Sequence, residues 1–378
     1  MKRIVNILII VLLLLPLRVK AEEIELLKNA RNGILIEEST GEILFEKSKD
    51  EKVAVASLTK MMVQLIVLEK IENGDIGWND VVTASKNASG MGGTQIWLST
   101  GEKMSVKDLF KAMSIVSAND ATVALAEYIS GTEEEFVKLM NKKAKELGLS
   151  NTLYKNVTGL DEDGHLSTAY DLAMLARELL KHEDILKISS LYEDYIRKDT
   201  PNKYWLVNTN KLVRFYNGAD GLKTGFTDNA KYTMAATAKR DNLRLIAIVL
   251  GEESGEVRNS EATELLDYGF DNYKLDMIKK KNDIVEYITL DKSDVDRIPI
   301  VLQDDLSVLS KKSSPSINYD LEIKLDDIKL PINKNDKVGM MNLVSNGKVI
   351  KSSNLIARDE AKKVSFFKYL FNNFINIF

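Results

Sequence analysis

The chain contains no cysteine in 378 residues, so neither a disulfide nor a thiolate-bound metal can hold its fold together. The N-terminus nevertheless predicts export. Lys2 and Arg3 precede an apolar run over residues 4–15, and the small residues Val19 and Ala21 indicate cleavage after Ala21. A retained anchor is the alternative, although about a dozen apolar residues is short for a bilayer span. An exported chain without disulfides must rely on its hydrophobic core, and its 44% hydrophobic residues suffice for one.

Composition also excludes several classes of function. The formal net charge is −4 and no stripe of Lys and Arg interleaves with aromatic residues, so we predict no nucleic-acid partner. Only two histidines are present, His165 and His182, and we expect no metal and no cofactor. A serine hydrolase with this composition would take a lysine as its base.

Apolar spacing divides the chain into two units. Up to about residue 251 it predicts alternating helices and strands, whereas after Tyr273 short strand-like runs alternate with charged or Ser/Pro-rich turns. We therefore predict a signal peptide over 1–21, a catalytic domain over 22–274 and a small β-sandwich over 275–357. The predicted hairpin is 33–38 with 42–46, the helices are 58–71, 106–115, 121–129 and 169–180, and the strands are 232–238, 244–250, 284–290, 298–302, 319–325 and 338–344.

The C-terminal residues 358–378 have a different pattern. From Ala361 onward Val364, Phe367, Leu370, Phe371, Phe374 and Phe378 fall on one helical face, with Lys368 and asparagines opposite. This pattern predicts an amphipathic helix in the membrane interface, since the uncharged stretch is too short to span a bilayer. A helix that docks on the protein itself is the alternative.

Three short motifs occur in order and carry the candidate chemistry: Ser57-Leu-Thr-Lys60, Ser117-Ala-Asn119 and Lys223-Thr-Gly225. None is specific alone, because Ser-x-x-Lys and Ser-x-Asn recur elsewhere in the chain. Ser57 and Lys60 lie at i and i+3 at the start of an apolar helix, so they share a face. A desolvated lysine can act as a base toward the serine hydroxyl. The alternative is that Ser57 is an N-cap and Lys60 is solvated.

The other two motifs allow similar pairs of interpretations. Ser117 can pass a proton and Asn119 can hold a substrate amide, or either can cap a helix. Lys223 and Thr224 offer a cation and a hydroxyl to a carboxylate, and Gly225 permits close approach of a substrate backbone. In this interpretation the third motif opens a strand, and an edge-strand lysine followed by a turn glycine is the alternative. The preceding Gly218-Ala-Asp-Gly221 predicts a turn in either case.

Together the motifs resemble those of penicillin-binding proteins and class A β-lactamases, in which the middle motif is written Ser-Asp-Asn. Longer stretches resemble the low-molecular-mass D-alanyl-D-alanine carboxypeptidases, and the similarity covers nearly the whole mature chain. These stretches are Ala56-Ser-Leu-Thr-Lys-Met61, Ser117-Ala-Asn-Asp-Ala121, Gly164-His-Leu-Ser-Thr-Ala169, Asp220-Gly-Leu-Lys-Thr-Gly-Phe-Thr227 and Ala238-Lys-Arg240.

The resemblance implies an α+β fold of the β-lactamase/transpeptidase type, in which an antiparallel sheet and a helical lobe enclose the site and a small all-β domain follows. It implies Ser57 as nucleophile, Lys60 as base, Ser117 as proton relay and Asn119 as a positioning group. Lys223 and Thr224 would bind the substrate carboxylate, and the backbone N–H groups of Ser57 and Phe226 would form the oxyanion hole. His165 is expected to be structural.

The implied partners are peptidoglycan stem peptides ending in D-Ala-D-Ala, β-lactams as covalent inhibitors, and the outer face of the cytoplasmic membrane. Three alternatives stay open from the residues. A β-lactamase is disfavoured because no Glu-x-x-Leu-Asn follows Asn119 before Lys223. A transpeptidase or endopeptidase would carry the same motifs. A non-catalytic penicillin-recognising protein is expected to show a broken motif, and none is broken here.

Overall fold

A computed structural model describes residues 25–315 and 318–364. Its strands are β1 (Asn32–Glu37), β2 (Ile43–Lys47), β3 (Val81–Thr83), β4 (Lys103–Ser105), β5 (Glu193–Ile196), β6 (Tyr204–Val207), β7 (Ala219–Thr227), β8 (Lys231–Arg240), β9 (Leu243–Glu252), β10 (Tyr273–Lys279), β11 (Ile284–Ile288), β12 (Ile298–Leu302), β13 (Leu306–Lys311), β14 (Asp320–Leu325), β15 (Lys337–Ser345) and β16 (Lys348–Ala357). Its helices are α1 (Lys60–Glu72), α2 (Lys86–Ser89), α3 (Val106–Ile115), α4 (Asn119–Ser130), α5 (Glu133–Glu146), α6 (Ala169–Leu179), α7 (Glu183–Ser189), α8 (Leu212–Phe215) and α9 (Gly255–Asn272), with a 3₁₀ turn at Ala56–Thr59.

A five-stranded antiparallel sheet of order β2-β1-β9-β8-β7 forms the centre of the first unit. The predicted hairpin is confirmed as β1 and β2, and the short link after Arg240 makes β8 and β9 antiparallel, as predicted. Alternate residues of β9 enter two different cores: Ile246 and Ile248 face the helical lobe, whereas Leu245 and Ala247 face α9. Helices cover both faces of the sheet, which explains why residues 245–250 of this strand are all apolar and buried.

The helical lobe is built around α1. Nine consecutive residues of this helix, Lys60–Leu68, are buried, because α3, α4, α5 and α6 surround it. The helix predicted over 58–71 is therefore present, although a 3₁₀ turn forms its first residues. A helix that is enclosed on all sides offers a buried position for any polar side chain that the sequence places on it.

Two predictions about the third motif are wrong. Lys223 does not open a strand but lies in the middle of β7, which begins at Ala219 and pairs with β8. The turn predicted at 218–221 lies two residues earlier, since the N–H of Ala219 donates to Tyr216 O and β7 already begins at Ala219. A Cβ atom on Gly221 would lie 2.7 Å from Ser189 Oγ, so this glycine permits α7 to pack closely on the strand.

The second unit is all-β, as predicted. A two-stranded sheet, β10-β13, and a five-stranded sheet, β11-β12-β16-β15-β14, contribute to a third hydrophobic core. The sequence pattern located β11, β12, β14 and β15 but missed β10, β13 and β16. The long α5 and α9 of the first unit were also missed.

The C-terminal helix predicted from Ala361 is wrong in its first four residues. Ala361 pairs with Ile332 and is buried in the third core, and the N–H of Val364 donates to Lys292 O. Residues 361–364 are thus packed against the β unit. The rest of the predicted helix, 365–378, and the predicted signal peptide lie outside the described residues. Within the described ranges, none of the helices has the length and apolar character needed to cross a membrane.

Candidate active site

Ser57 lies in the 3₁₀ turn that precedes α1, with its hydroxyl directed at Lys60. The Lys60 Nζ atom is 2.8 Å from Ser57 Oγ and donates a second hydrogen bond of 2.7 Å to Thr158 O. Ala56 has φ +49° although it carries a side chain, so the backbone before the serine is strained. Ser57 is not an N-cap and Lys60 is fully buried, which rules out the alternative interpretation of this motif.

The surroundings of Lys60 favour its neutral form. Burial lowers the pKa of Lys60 well below its ordinary value, and the ammonium of Lys223 lowers it further. Among the described residues no carboxylate pairs with Lys60. An amine with a depressed pKa at hydrogen-bond distance from a hydroxyl is the arrangement that a general base requires.

Gly225 brings the third motif beside the serine. A Cβ atom at this position would lie 2.8 Å from Ser57 N and 2.9 Å from Ala56 Cβ, so only glycine permits this approach of β7 to the turn. The next residue, Phe226, is half exposed and packs against Tyr232, with 4.5 Å between ring centroids and 42° between the ring planes. Ser57 and Phe226, whose N–H groups are the predicted oxyanion donors, therefore lie on the two segments that approach each other at Gly225.

The second motif lies in the loop between α3 and α4. Ser117 has φ +66°, and its buried Oγ has no hydrogen-bond partner among the described residues. Asn119 donates from Nδ2 to Gly92 O, and its N–H donates to Thr94 O, both at 2.7 Å. Neither residue is a side-chain cap, since Ala118 occupies the N-cap position of α4. Ala118 packs in the core of the helical lobe, so the difference from Ser-Asp-Asn is at a buried apolar position.

Lys223 and Thr224 are both buried in the middle of β7. Lys223 Nζ donates to Thr224 O at 2.8 Å, and Thr224 Oγ1 donates to Thr209 Oγ1 at 2.7 Å. The N–H of Thr209 in turn donates to Ile115 O at the end of α3. Thr209, which no motif indicated, therefore connects the third motif to the helix that leads into the second.

Arg258 is a second residue that the motifs did not reveal. It lies on α9, is 7% exposed, and donates to Asn259 Oδ1 but to no carboxylate among the described residues. Burial is the main cause, and the positive charge of Arg258 the second, that together lower the pKa of Lys223 to about 7. Two buried neighbouring cations that have no carboxylate partner in the described part of the chain create a site that favours an anion.

The loop over residues 156–168 supports the turn that carries the serine. His165 Nδ1 accepts from the N–H of Lys155, so Nε2 carries the proton that is donated to Thr59 Oγ1 at 2.8 Å. Burial lowers the pKa of His165 to about 4, which keeps the ring neutral. These contacts agree with a structural role for His165, which stays a prediction.

The fold and the three motifs that meet in it are those of the penicillin-recognising serine enzymes. A family model described as D-alanyl-D-alanine carboxypeptidase matches residues 19–254, and one described as penicillin-binding protein 5, C-terminal domain, matches residues 273–363. The chain belongs to the D-alanyl-D-alanine carboxypeptidase family.

Individual relatives agree with this assignment. The chain is 45% identical to the D-alanyl-D-alanine carboxypeptidase DacF of Bacillus subtilis, over 92% of this chain and 89% of the relative. Penicillin-binding protein 5 from Haemophilus influenzae is 29% identical with a TM-score of 0.71, over 90% of this chain and 98% of that one. Penicillin-binding protein D2 from Listeria monocytogenes, solved in its ampicillin-bound form, is 34% identical with a TM-score of 0.58, over 64% of this chain and 97% of that one.

Proposed function

We propose that this protein removes the terminal D-alanine from peptidoglycan stem peptides through an acyl-enzyme on Ser57. The observation that carries the proposal is the 2.8 Å contact between Ser57 Oγ and the buried Lys60 Nζ, beside the strand that carries Gly225. Membership of the carboxypeptidase family supports the choice of substrate.

Acylation follows from the positions of these groups. Neutral Lys60 accepts the Ser57 proton as Oγ attacks the carbonyl between the two D-alanines. The N–H groups of Ser57 and Phe226 stabilise the negative charge that develops on the carbonyl oxygen. The hydroxyl of Ser117, which has no partner within the described ranges, would relay a proton to the leaving amine. Asn119, which Gly92 O holds in place, would position the substrate amide and Lys60.

We assign recognition of the terminal carboxylate of the substrate to Lys223 and Thr224 on β7 and to Arg258 on α9. Lys223, Thr224 and Arg258 would surround the terminal carboxylate, which would supply the negative charge that the two buried cations lack. Water then attacks the acyl-enzyme and releases the shortened peptide. We favour water over an amine acceptor because the overall layout is that of the carboxypeptidases.

Release of D-alanine from a small D-Ala-D-Ala peptide tests the activity directly. The native protein should release D-alanine and bind a labelled penicillin covalently, and Ser57→Ala should do neither. Ser352→Ala, which alters a serine in the β unit, is the matched control and should behave as the native protein. Equal penicillin labelling of the Ser57→Ala variant would remove the nucleophile assignment. Sustained hydrolysis of nitrocefin would favour a β-lactamase instead.

We also propose export through residues 1–21 and peripheral attachment to the outer face of the cytoplasmic membrane through the C-terminal helix. The catalytic domain over 22–274 and the β domain would then lie outside the cell. Because Ala361 and Val364 pack on the β unit, a truncation must end after Val364 to leave this core intact. That truncated chain should keep its melting temperature and activity but lose the membrane fraction. A truncated chain that still sediments with membranes would disprove the anchor.

A further inference from the structure

A segment without charge lies beside the second motif. Residues 87–101, between Lys86 and Glu102, contain no Asp, Glu, Lys or Arg, although 29% of the chain is charged. The segment is fixed to the site, because Gly92 O and Thr94 O accept hydrogen bonds from Asn119. It therefore borders the cleft in which the three motifs meet.

Trp97 is the most conspicuous residue of this segment. It is 70% exposed and has φ +60°, whereas its neighbours Ile96 and Leu98 are buried. The buried carboxylate of Asp120 accepts from the N–H groups of both neighbours, at 3.0 to 3.2 Å. Arg197 Nη1 also donates to Ile96 O at 2.9 Å. The backbone on each side of Trp97 is thus held in place.

This arrangement exposes the indole ring to water and is energetically unfavourable. A left-handed conformation costs a non-glycine residue roughly 1–2 kcal/mol, and exposure forgoes the favourable burial of the largest apolar side chain. Asp120 directly follows Asn119, so the carboxylate that holds Trp97 belongs to the helix start that carries the second motif. Strain and fixation at a cleft edge point to a ligand contact.

Distance limits which part of a substrate can reach the indole. Trp97 is three residues beyond Thr94, a separation of at most about 11 Å. The acyl part of a stem peptide has four residues before the scissile bond and spans at most about 14 Å. The two lengths are comparable, so the group attached to the far end of that peptide, an N-acetylated sugar of the glycan strand, can lie against Trp97.

The chemistry of the segment suits a sugar. A sugar ring presents a face of C–H groups that can stack on an indole and an edge of hydroxyl groups that can bond Gln95 or Thr94. An amidated N-acetyl sugar is neutral, which matches a segment without charge, whereas a membrane surface or a nucleic acid would require cations. We propose that Trp97 stacks on the sugar that carries the stem peptide and so favours glycan-linked substrates. This inference rests on the proposed carboxypeptidase activity.

Paired substrates test the inference: one stem pentapeptide with its disaccharide and the same peptide without it. The native protein should cleave the disaccharide-linked peptide with the lower KM. Trp97→Ala should raise that KM by about three- to tenfold with kcat retained, and should leave kcat/KM for the free peptide within about twofold. Trp97→Phe, which keeps an aromatic face, should retain part of the preference.

Trp205→Ala is the matched control. Trp205 is also exposed, but its neighbour Tyr204 contacts Gln95 O, so alternation along β6 directs Trp205 away from the segment. Its substitution should leave the preference unchanged. A direct readout is the quenching of tryptophan emission by the disaccharide-peptide in a Ser57→Ala background, which should persist in Trp205→Phe and vanish in Trp97→Phe.

Three results overturn the inference: an equal loss on both substrates, no loss on either, or no preference in the native protein. If the native protein cleaves neither substrate, the proposed function fails instead. The two failures are therefore distinguishable.

Discussion

Replacement of Arg258 by glutamine tests the anion site behind β7. Arg258 is 7% exposed and has no carboxylate partner among the described residues, so its charge is available to a ligand. A hydrogen bond to a charged group contributes about 1.5–3 kcal/mol. We therefore expect Arg258→Gln to lower kcat/KM for a peptide ending in a free carboxylate by about 10- to 150-fold.

The same substitution should change the pH dependence of the reaction. After burial, the charge of Arg258 is the second cause that lowers the pKa of Lys223, to about 7. Without Arg258 the pKa of Lys223 rises, so Lys223 keeps its charge to higher pH. The decline of kcat/KM on the alkaline side that is due to Lys223 should move upward in pH.

The assay is D-alanine release between pH 6 and pH 9.5, with the acid peptide compared with its C-terminal amide. Arg258→Lys keeps the charge and should lose less activity. The melting temperature of Arg258→Gln should be unchanged or higher, because a buried unpaired charge is removed. An equal loss on the acid and the amide, with no shift of the alkaline decline, would refute the assignment of Arg258 to the carboxylate.

Three further substitutions have defined outcomes. Gly225→Ala places Cβ 2.8 Å from Ser57 N, so the turn or the strand must shift. Penicillin acylation should therefore slow by about 100-fold. An unchanged rate would contradict this contact. Thr209→Val removes the acceptor of Thr224 Oγ1, so KM for the acid peptide should rise about two- to tenfold with the melting temperature retained; an unchanged KM would show that Thr209 does not orient Thr224. Burial and then the neighbouring Glu261 raise the pKa of Glu252 to about 8, so the folded state holds a proton that the unfolded state loses above its ordinary pKa. The stability from this group is present at low pH and is lost as the pH rises through 8, so Glu252→Gln should stabilise more at pH 8.5 than at pH 5; equal gains in urea denaturation at the two pH values would oppose it.

The catalytic motifs were predictable because their elements follow local rules. The apolar spacing after Leu58 predicts a buried helix, and a helix places Ser57 and Lys60 on one face. The resemblance to a family supplied the roles, since order and spacing alone leave caps and surface lysines as alternatives. What the sequence did not contain was the conformation of Ala56 and Ser117, whose positive φ values depend on surrounding packing.

Arg258 and Thr209 were missed because their function depends on tertiary neighbours. Arg258 belongs to α9, whose polar first turn gave no apolar period, and only packing of that helix on the sheet brings it near Lys223. For α5 the sequence does contain a helix-start signal, because Thr132 and Glu135 have the spacing of a capping box, and Thr132 accepts from the N–H of Glu135. Local chemistry can indicate where a helix begins, but it does not reveal which distant side chain that helix delivers.

The predicted start of the C-terminal helix at Ala361 was wrong for a related reason. Val364 fits a helical apolar face in the sequence, yet its N–H donates to Lys292 O and its side chain is buried in the β unit. A single apolar residue at this position fits both an amphipathic helix and an extended segment packed on the β unit. The contact with the turn at Lys292 decided between them, and periodicity contains no information about tertiary contacts.

The two neighbouring positive charges of Lys223 and Arg258 should also make substrate binding depend on the anions in the buffer. At the proposed carboxylate site the two cations should attract small anions from the buffer, so a substrate carboxylate would have to displace chloride, phosphate or sulfate in order to bind. Substrate binding would then include the exchange of one anion for another. Apparent Michaelis constants, and rates of inactivation by carboxylate-bearing antibiotics, are comparable only between solutions of the same anion composition.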